Sequence, residues 1–195
     1  MNSTPSEVSV WDPLLRLFHW LLVAAFVVAY ASEDDWLQIH VAAGYGVLGL
    51  LAFRLVWGLV GPRRARFTDF VRPLATVKEY LVRLSRPNPP RYLGHNPPGG
   101  WMVVALLSLL LAVTVSGLAV YAADKGAGPL APWLGDAGKA VEKKLEHWHE
   151  TFANISLALV VVHVLGVLAE SYVHGENLAR AMLTGRKQRR DGDVD

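Results

Sequence analysis

Four long apolar segments constrain this chain more than any other feature. They cover approximately residues 14–31, 36–60, 100–123 and 148–172. Each reaches or approaches the roughly 20 residues that a helix needs to cross a bilayer. Hydrophobic residues make up 52% of the 195 residues and charged residues only 18%, which is too apolar for an ordinary soluble domain. The sequence therefore predicts an all-α fold, an integral membrane four-helix bundle that forms a single domain over residues 1–195.

The charges of the connecting segments predict the orientation of the bundle. The loop 61–100 carries eight Lys and Arg residues against two acidic residues, and the tail 174–195 is also rich in Lys and Arg. The connection 32–35 is acidic, and the loop 124–146 has four basic and four acidic residues. Because basic connections stay on the cytoplasmic side, we expect both termini and the loop 61–100 to be cytoplasmic.

Two stretches of the loop 61–100 have a clear local signature. From Pro73 to Leu84 apolar residues recur at helical spacing, which predicts an amphipathic helix on the membrane surface. The sequence Asn96-Pro97-Pro98-Gly99-Gly100 is typical of a loop, and about the first dozen residues are predicted to form a short polar lead.

Four histidines lie within the apolar segments at two predicted depths. His149 and His163 are fourteen residues apart, which turns a helix through about 1400°, so both rings leave nearly the same face. In the predicted orientation His40 and His149 lie near the outer surface, and His19 and His163 lie nearer the cytoplasm. An unpaired imidazole in hydrocarbon costs several kcal/mol, so we expect the pairs His40/His149 and His19/His163.

Paired imidazoles from facing helices suit the axial ligation of iron in b-type haem. The chain has no cysteine, which excludes disulfides, thiolate-bound iron–sulfur clusters and covalent c-type haem. Zinc and copper normally take three or four ligands, and nothing near these pairs supplies the rest. Gly44 and Gly166 lie about one turn from His40 and His163, where they leave room for a macrocycle. The prediction is two haem b groups with the four histidines as iron ligands, and the alternative is four core histidines bonded across helices.

Two arginines lie where haem propionates would need them. Arg54 follows His40 by fourteen residues and lies at the cytoplasmic end of the same helix face, and Arg16 precedes His19 by one turn. A cation inside a membrane requires a partner, and a haem carboxylate is a suitable one. The alternative is that both side chains extend to the lipid headgroups.

The three remaining histidines have other expected roles. His147 points to a different side of its helix from His149 and is expected in the outer loop. His95 falls in a Pro/Gly-rich loop and is expected to be solvated, and His174 is expected at the cytoplasmic boundary.

Several motifs carry a family resemblance. They are Trp11-Asp12-Pro13…Arg16…Phe18-His19-Trp20, Ile39-His40…Gly44-Tyr45, Phe53-Arg54…Trp57-Gly58 and Trp148-His149-Glu150…Asn154…His163…Gly166. With them the chain resembles the bacterial cytochrome b561 family, which also contains the cytochrome b subunit of nickel-dependent hydrogenases. The resemblance implies a four-helix membrane protein that holds two b haems through histidines matching His19, His40, His149 and His163. Hydrogenase subunits usually have an additional span that this chain lacks, which favours another branch of the family.

The predicted function is transmembrane electron transport in a respiratory chain of the bacterial cytoplasmic (inner) membrane. Members of the family pass electrons between quinone and a redox partner outside this membrane, here expected to be a periplasmic c-type cytochrome. Similarity to superoxide-oxidising cytochromes leaves a superoxide:quinone oxidoreductase as an alternative. A non-haem proton-coupled transporter or membrane assembly subunit is the alternative of another class, although no paired Gly/Pro breaks or inverted repeat are visible. No nucleophile–base arrangement or nucleotide-binding loop is present, so we assign no catalytic residue. The expected contacts are membrane lipid and redox partners, not nucleic acid.

Overall fold

The computed structural model describes residues 6–32, 36–84 and 89–195, and most of these residues are helical. Its helices are α1 (Pro13–Ala31), α2 (Leu37–Val60), α3 (Phe67–Phe70), α4 (Leu74–Leu84), α5 (Pro97–Lys125), α6 (Ala131–Leu134), α7 (Lys139–His174) and α8 (Leu178–Thr184). A 3-10 turn at Arg63–Ala65 precedes α3. Residues 1–5 of the predicted polar lead, the acidic residues 33–35 and residues 85–88 of the loop 61–100 lie outside the described residues.

Helices α1, α2, α5 and α7 are long and apolar enough to cross a membrane, which confirms the four predicted spans. Their large apolar side chains are mostly exposed, as at Leu17, Val56 and Leu165. In water such a surface would promote association, whereas lipid tails cover it without cost. The predicted helix in the loop 61–100 also forms, as α4.

Two predicted boundaries were wrong. Helix α5 begins at Pro97, inside the predicted loop, because prolines are tolerated in a first helical turn and Asn96 caps it. The Asn96 side chain accepts a hydrogen bond from the Gly99 amide at 2.7 Å. Helix α7 begins at Lys139 rather than near residue 148. Its first turns are charged and are stabilised by local pairs such as Lys139–Glu142 at 2.8 Å, so hydropathy does not reveal them.

The prediction of a purely helical fold was also incomplete, because the chain contains a small antiparallel sheet. Strand β1 (Glu7–Ser9) pairs with strand β2 (Arg186–Gln188) in the predicted tail. The Gly185 carbonyl accepts hydrogen bonds from the amides of Val10 and Trp11 at 2.8 and 3.2 Å. Three-residue strands offer too few positions for an alternating pattern, so the sequence gives no signal of this sheet.

The chain divides into two compact units, and each long helix contributes residues to both. The first unit comprises Met1–Trp20, Phe53–Val104 and Val162–Asp195, and the second comprises Leu21–Ala52 and Ala105–Val161. In the second unit Val47, Leu51 and Leu110 form a buried apolar core. The single domain expected from the sequence stays a prediction.

A buried ionic network ties the C-terminal segment into the first unit. Arg91 is 7% exposed and pairs with Glu176 and Asp193, each at 2.6 Å, while Lys187 pairs with Glu176 at 3.2 Å. Burial alone raises the pKa of both carboxyl groups, but hydrogen bonds from Arg91 outweigh it and hold each pKa below its ordinary value.

We expect Arg91→Ala to lower the free energy of unfolding by about 3–5 kcal/mol, because it leaves Asp193 buried without its ion-pair partner and Glu176 with Lys187 alone. The matched control is Arg83→Ala, which removes an exposed pair with Glu79 that is worth about 0–1 kcal/mol. Thermal unfolding in detergent measures both. Because both folded pKa values lie below the unfolded ones, the network stabilises above about pH 4 and is lost as the pH falls through the folded values. Equal losses in the two variants would contradict this assignment.

Candidate functional site

Two histidines of the second unit face each other. The ring centres of His40, in α2, and His149, in α7, are 5.9 Å apart, and the ring planes are inclined at 87°. Imidazoles that bind one metal from opposite sides, each at about 2 Å, place their ring centres about 6 Å apart. The spacing of this pair therefore fits bis-histidine ligation of a single ion.

Backbone carbonyls fix the proton position on both rings. His40 Nδ1 donates to the Ala29 carbonyl at 2.8 Å, and His149 Nδ1 donates to the Val113 carbonyl at 3.0 Å. The Ser116 hydroxyl lies a further 3.2 Å from His149 Nδ1. Because a carbonyl only accepts, the proton resides on Nδ1 and the Nε2 lone pair of each ring stays free for a metal.

A largely apolar cavity adjoins the pair. Including its open side it measures about 790 Å³. Gly44 lines it, and a methyl group added there would meet no atom within 4 Å. The described residues that line the cavity include no Asp, Glu, Lys or Arg. Besides His40, His149 and Gly44, the lining residues are Phe26, Ala29, Tyr30, Val41, Tyr45, Val47, Leu48, Leu110, Val113, Thr114, Gly117, Leu118, Tyr121 and Ala153. A flat apolar macrocycle suits such a lining.

Gly117 is a site residue that sequence reasoning missed. A Cβ atom there would lie 2.9 Å from His149 Cε1 and 3.3 Å from Nδ1. Only glycine therefore lets α5 approach the imidazole this closely. Its only sequence signal is a glycine beside Ser116 in an otherwise uninterrupted apolar segment.

The other two predicted ligands both belong to the first unit. His19 of α1 and His163 of α7 lie close enough to interact electrostatically. His19 Nδ1 is buried without a hydrogen-bond partner among the described residues, so the ring has capacity for a ligand. No group of three or more His, Cys, Asp or Glu residues able to hold a metal ion occurs in the described ranges. Histidine pairs thus fit a cofactor that supplies the remaining iron ligands, as haem does.

Arg54 is buried rather than extended to the headgroups. Its side chain is 2% exposed, and its Cζ atom lies 4.8 Å from the ring centre of Phe67 and 5.7 Å from that of Phe70. The missing side chain of Gly58 admits the Phe67 ring. Arg54 Nη1 has no hydrogen-bond partner among the described residues. A buried guanidinium with a free hydrogen-bond donor fits the predicted contact of Arg54 with an anionic haem propionate.

Arg16 is partly satisfied by the protein itself. Its Nη1 donates to the Leu183 carbonyl at the end of α8, whereas its Nε is buried without a partner in the described part of the chain. The predicted propionate contact of Arg16 stays a prediction.

The solvated position predicted for His95 was wrong. Its ring packs between Trp11 and Phe70, with ring centres 4.7 Å away on either side. Burial lowers the pKa of His95 to about 3, and the charge of Arg54 adds to the effect. The loop position predicted for His147 was wrong, because this residue lies within α7 with its side chain exposed. His174 is buried with its Nε2 3.2 Å from Glu170.

Comparison with known proteins places this chain in a family. The family described as prokaryotic cytochrome b561 matches residues 10–185. The chain belongs to this family. It is accordingly a multi-pass protein of the bacterial inner membrane and a haem-binding b-type cytochrome of electron transport, which confirms the predicted family, location and cofactor class.

Curated relatives cover nearly the full length of this b561 family member. A probable Ni/Fe-hydrogenase B-type cytochrome subunit of Azotobacter vinelandii is 27% identical, and the match covers 97% of this chain and 92% of the relative. A subunit of the same name from Azotobacter chroococcum is also 27% identical, with the same coverage. One from Bradyrhizobium diazoefficiens is 23% identical over 94% of this chain and 87% of the relative. No solved structure matches the chain.

Proposed function

We propose that this cytochrome carries electrons across the inner membrane between the quinone pool and a periplasmic redox protein, most simply a c-type cytochrome. Two haem b groups would serve, an outer one between His40 and His149 and an inner one between His19 and His163. One observation carries the proposal. The His40 and His149 rings lie 5.9 Å apart, with both Nδ1 protons donated to carbonyl groups.

The residues of the chain hold, orient and tune the cofactor. Haem b, when bound, supplies the one-electron Fe(III)/Fe(II) couple. The Ala29 and Val113 carbonyls orient the outer ligands, Gly44 leaves room for the macrocycle, and the apolar lining excludes water. On the inner side Arg54 and Arg16 would neutralise propionates, which also satisfies their free donors.

The proposal includes a cytoplasmic location for both termini. The pairing of β1 with β2 joins the two terminal segments, which supports an even number of crossings. The excess of Lys and Arg in the loop 61–100 and the tail supports the cytoplasmic side for both. Exposed Leu74, Leu81 and Val82 support placing α4 on the membrane surface, in contact with lipid.

The test is the cofactor content of the purified protein. We expect a reduced b-type spectrum, two haems per chain in a pyridine haemochrome assay, and reduction of these haems by added quinol. A colourless preparation that is fully folded would overturn the proposal and favour the transporter or assembly-subunit class.

The names of the relatives favour a second electron source, a Ni/Fe-hydrogenase that delivers electrons to the cytochrome for transfer to quinone. Proteoliposomes that contain the cytochrome and quinone distinguish the partners. Reduction of an external c-type cytochrome by quinol supports the first proposal, and hydrogen-dependent quinone reduction with added hydrogenase supports the second. Quinone reduction by a superoxide source would identify the superoxide:quinone oxidoreductase instead.

A further inference from the structure

His95 and Arg54 share one aromatic neighbour in the first unit. The Phe70 ring lies 4.7 Å from the His95 ring centre and 5.7 Å from Arg54 Cζ. His95 also interacts electrostatically with Arg54, His19 and His163. A histidine remote in sequence from the predicted ligands thus lies within the range of their electrostatic interaction.

Each of these two side chains has an unused hydrogen-bonding atom. His95 Nδ1 and Arg54 Nη1 are buried without a partner among the described residues. The charge of Asp12 also acts on Arg54, but no hydrogen bond joins the two side chains among the described residues, and Asp12 Oδ1 accepts instead from the Leu15 amide at 3.0 Å and Trp57 Nε1 at 3.2 Å. A buried guanidinium nitrogen and a buried ring nitrogen without hydrogen-bond partners are costly, so an anionic acceptor that reached both atoms would stabilise this cluster.

We propose that His95 and Arg54 together bind a carboxylate of the haem held by His19 and His163, Arg54 as a charged donor and His95 as a neutral one. The inference rests on the proposed function. The low pKa of His95 is consistent with a neutral donor, because the ring stays uncharged at physiological pH. Trp11 and Phe70 both pack against the His95 ring and thereby restrict the direction in which its nitrogens point.

Two substitutions separate hydrogen bonding from packing. His95→Phe keeps an aromatic ring between Trp11 and Phe70 and removes both nitrogens, whereas His95→Gln keeps a neutral donor and removes the ring. We expect His95→Phe to release the inner haem about tenfold faster, because a hydrogen bond to a charged group is lost. We also expect it to lower the midpoint potential of that haem, because a less neutralised carboxylate disfavours the reduced iron. His95→Gln is expected to restore both properties in part.

The measurements are haem transfer to apomyoglobin and spectroelectrochemical titration of the holoprotein. Both measurements are made on each variant in the full chain, and again in the presence of His149→Ala, where the inner haem is expected to be the one that remains. The matched control is His147→Phe, because His147 is exposed. If the release rate and midpoint potential of the inner haem were unchanged in His95→Phe, the role of His95 would be overturned. Equal changes of these two quantities in the Phe and Gln variants would overturn it as well. Absence of two haems from the unaltered protein would instead reject the proposed function.

Discussion

Purified His149→Ala protein is expected to contain one haem per chain instead of two. The substitution removes one of the two proposed iron ligands at the outer site, and the Val113 carbonyl and Ser116 hydroxyl that contact the ring offer no replacement for Nε2. The inner haem proposed between His19 and His163 is expected to stay, since those two residues belong to the first unit. A pyridine haemochrome assay gives the stoichiometry, and the reduced spectrum shows that the remaining haem is still six-coordinate.

His147→Ala is the matched control for this experiment. His147 lies two residues away in the same helix and is exposed, so its loss is expected to leave both haems in place. Full haem content in His149→Ala would contradict the assignment of the outer ligand. Equal losses in the two variants would show that the helix, and not the imidazole, is what the substitution disturbs.

Gly117→Val is expected to lower the affinity for the outer haem by about 10–100-fold. This is the usual effect of disturbing a residue that supports a metal ligand. The new side chain begins 2.9 Å from His149 Cε1, so the imidazole must move and lose its 3.0 Å hydrogen bond to Val113. Gly49→Val in α2 adds the same atoms where nothing lies within 4 Å. Haem transfer to apomyoglobin measures the loss from each variant. Rapid haem release from both variants, or from neither, would contradict a specific role of Gly117.

The spans could be predicted because long apolar runs in a bilayer have essentially one solution, the helix. The first turns of α7 were missed for the converse reason. From Lys139 to Glu146 the chain is charged, so only local pairs and the continuing backbone reveal a helix there.

The candidate site was predictable to different degrees from residue to residue. His40 and His149 could be paired from orientation and depth alone, because the basic connections determine both. The carbonyls of Ala29 and Val113 could not be predicted, since every residue has one and only the fold selects which meets an imidazole. His95 was misjudged because its loop composition is polar, while the two rings that enclose it come from distant parts of the sequence.

The pairing of β1 with β2 has a consequence for biosynthesis. All four membrane-spanning helices lie between the two strands in the sequence, so the strands cannot pair until the last of these helices has been synthesised. Arg16 donates to Leu183 just before β2, so the start of α1 also waits for residues that follow the last span. His19 follows one turn later. Stable haem binding between His19 and His163 is therefore expected only after the residues through β2 have been synthesised, and a chain cut before Leu183 is expected to lose the inner haem.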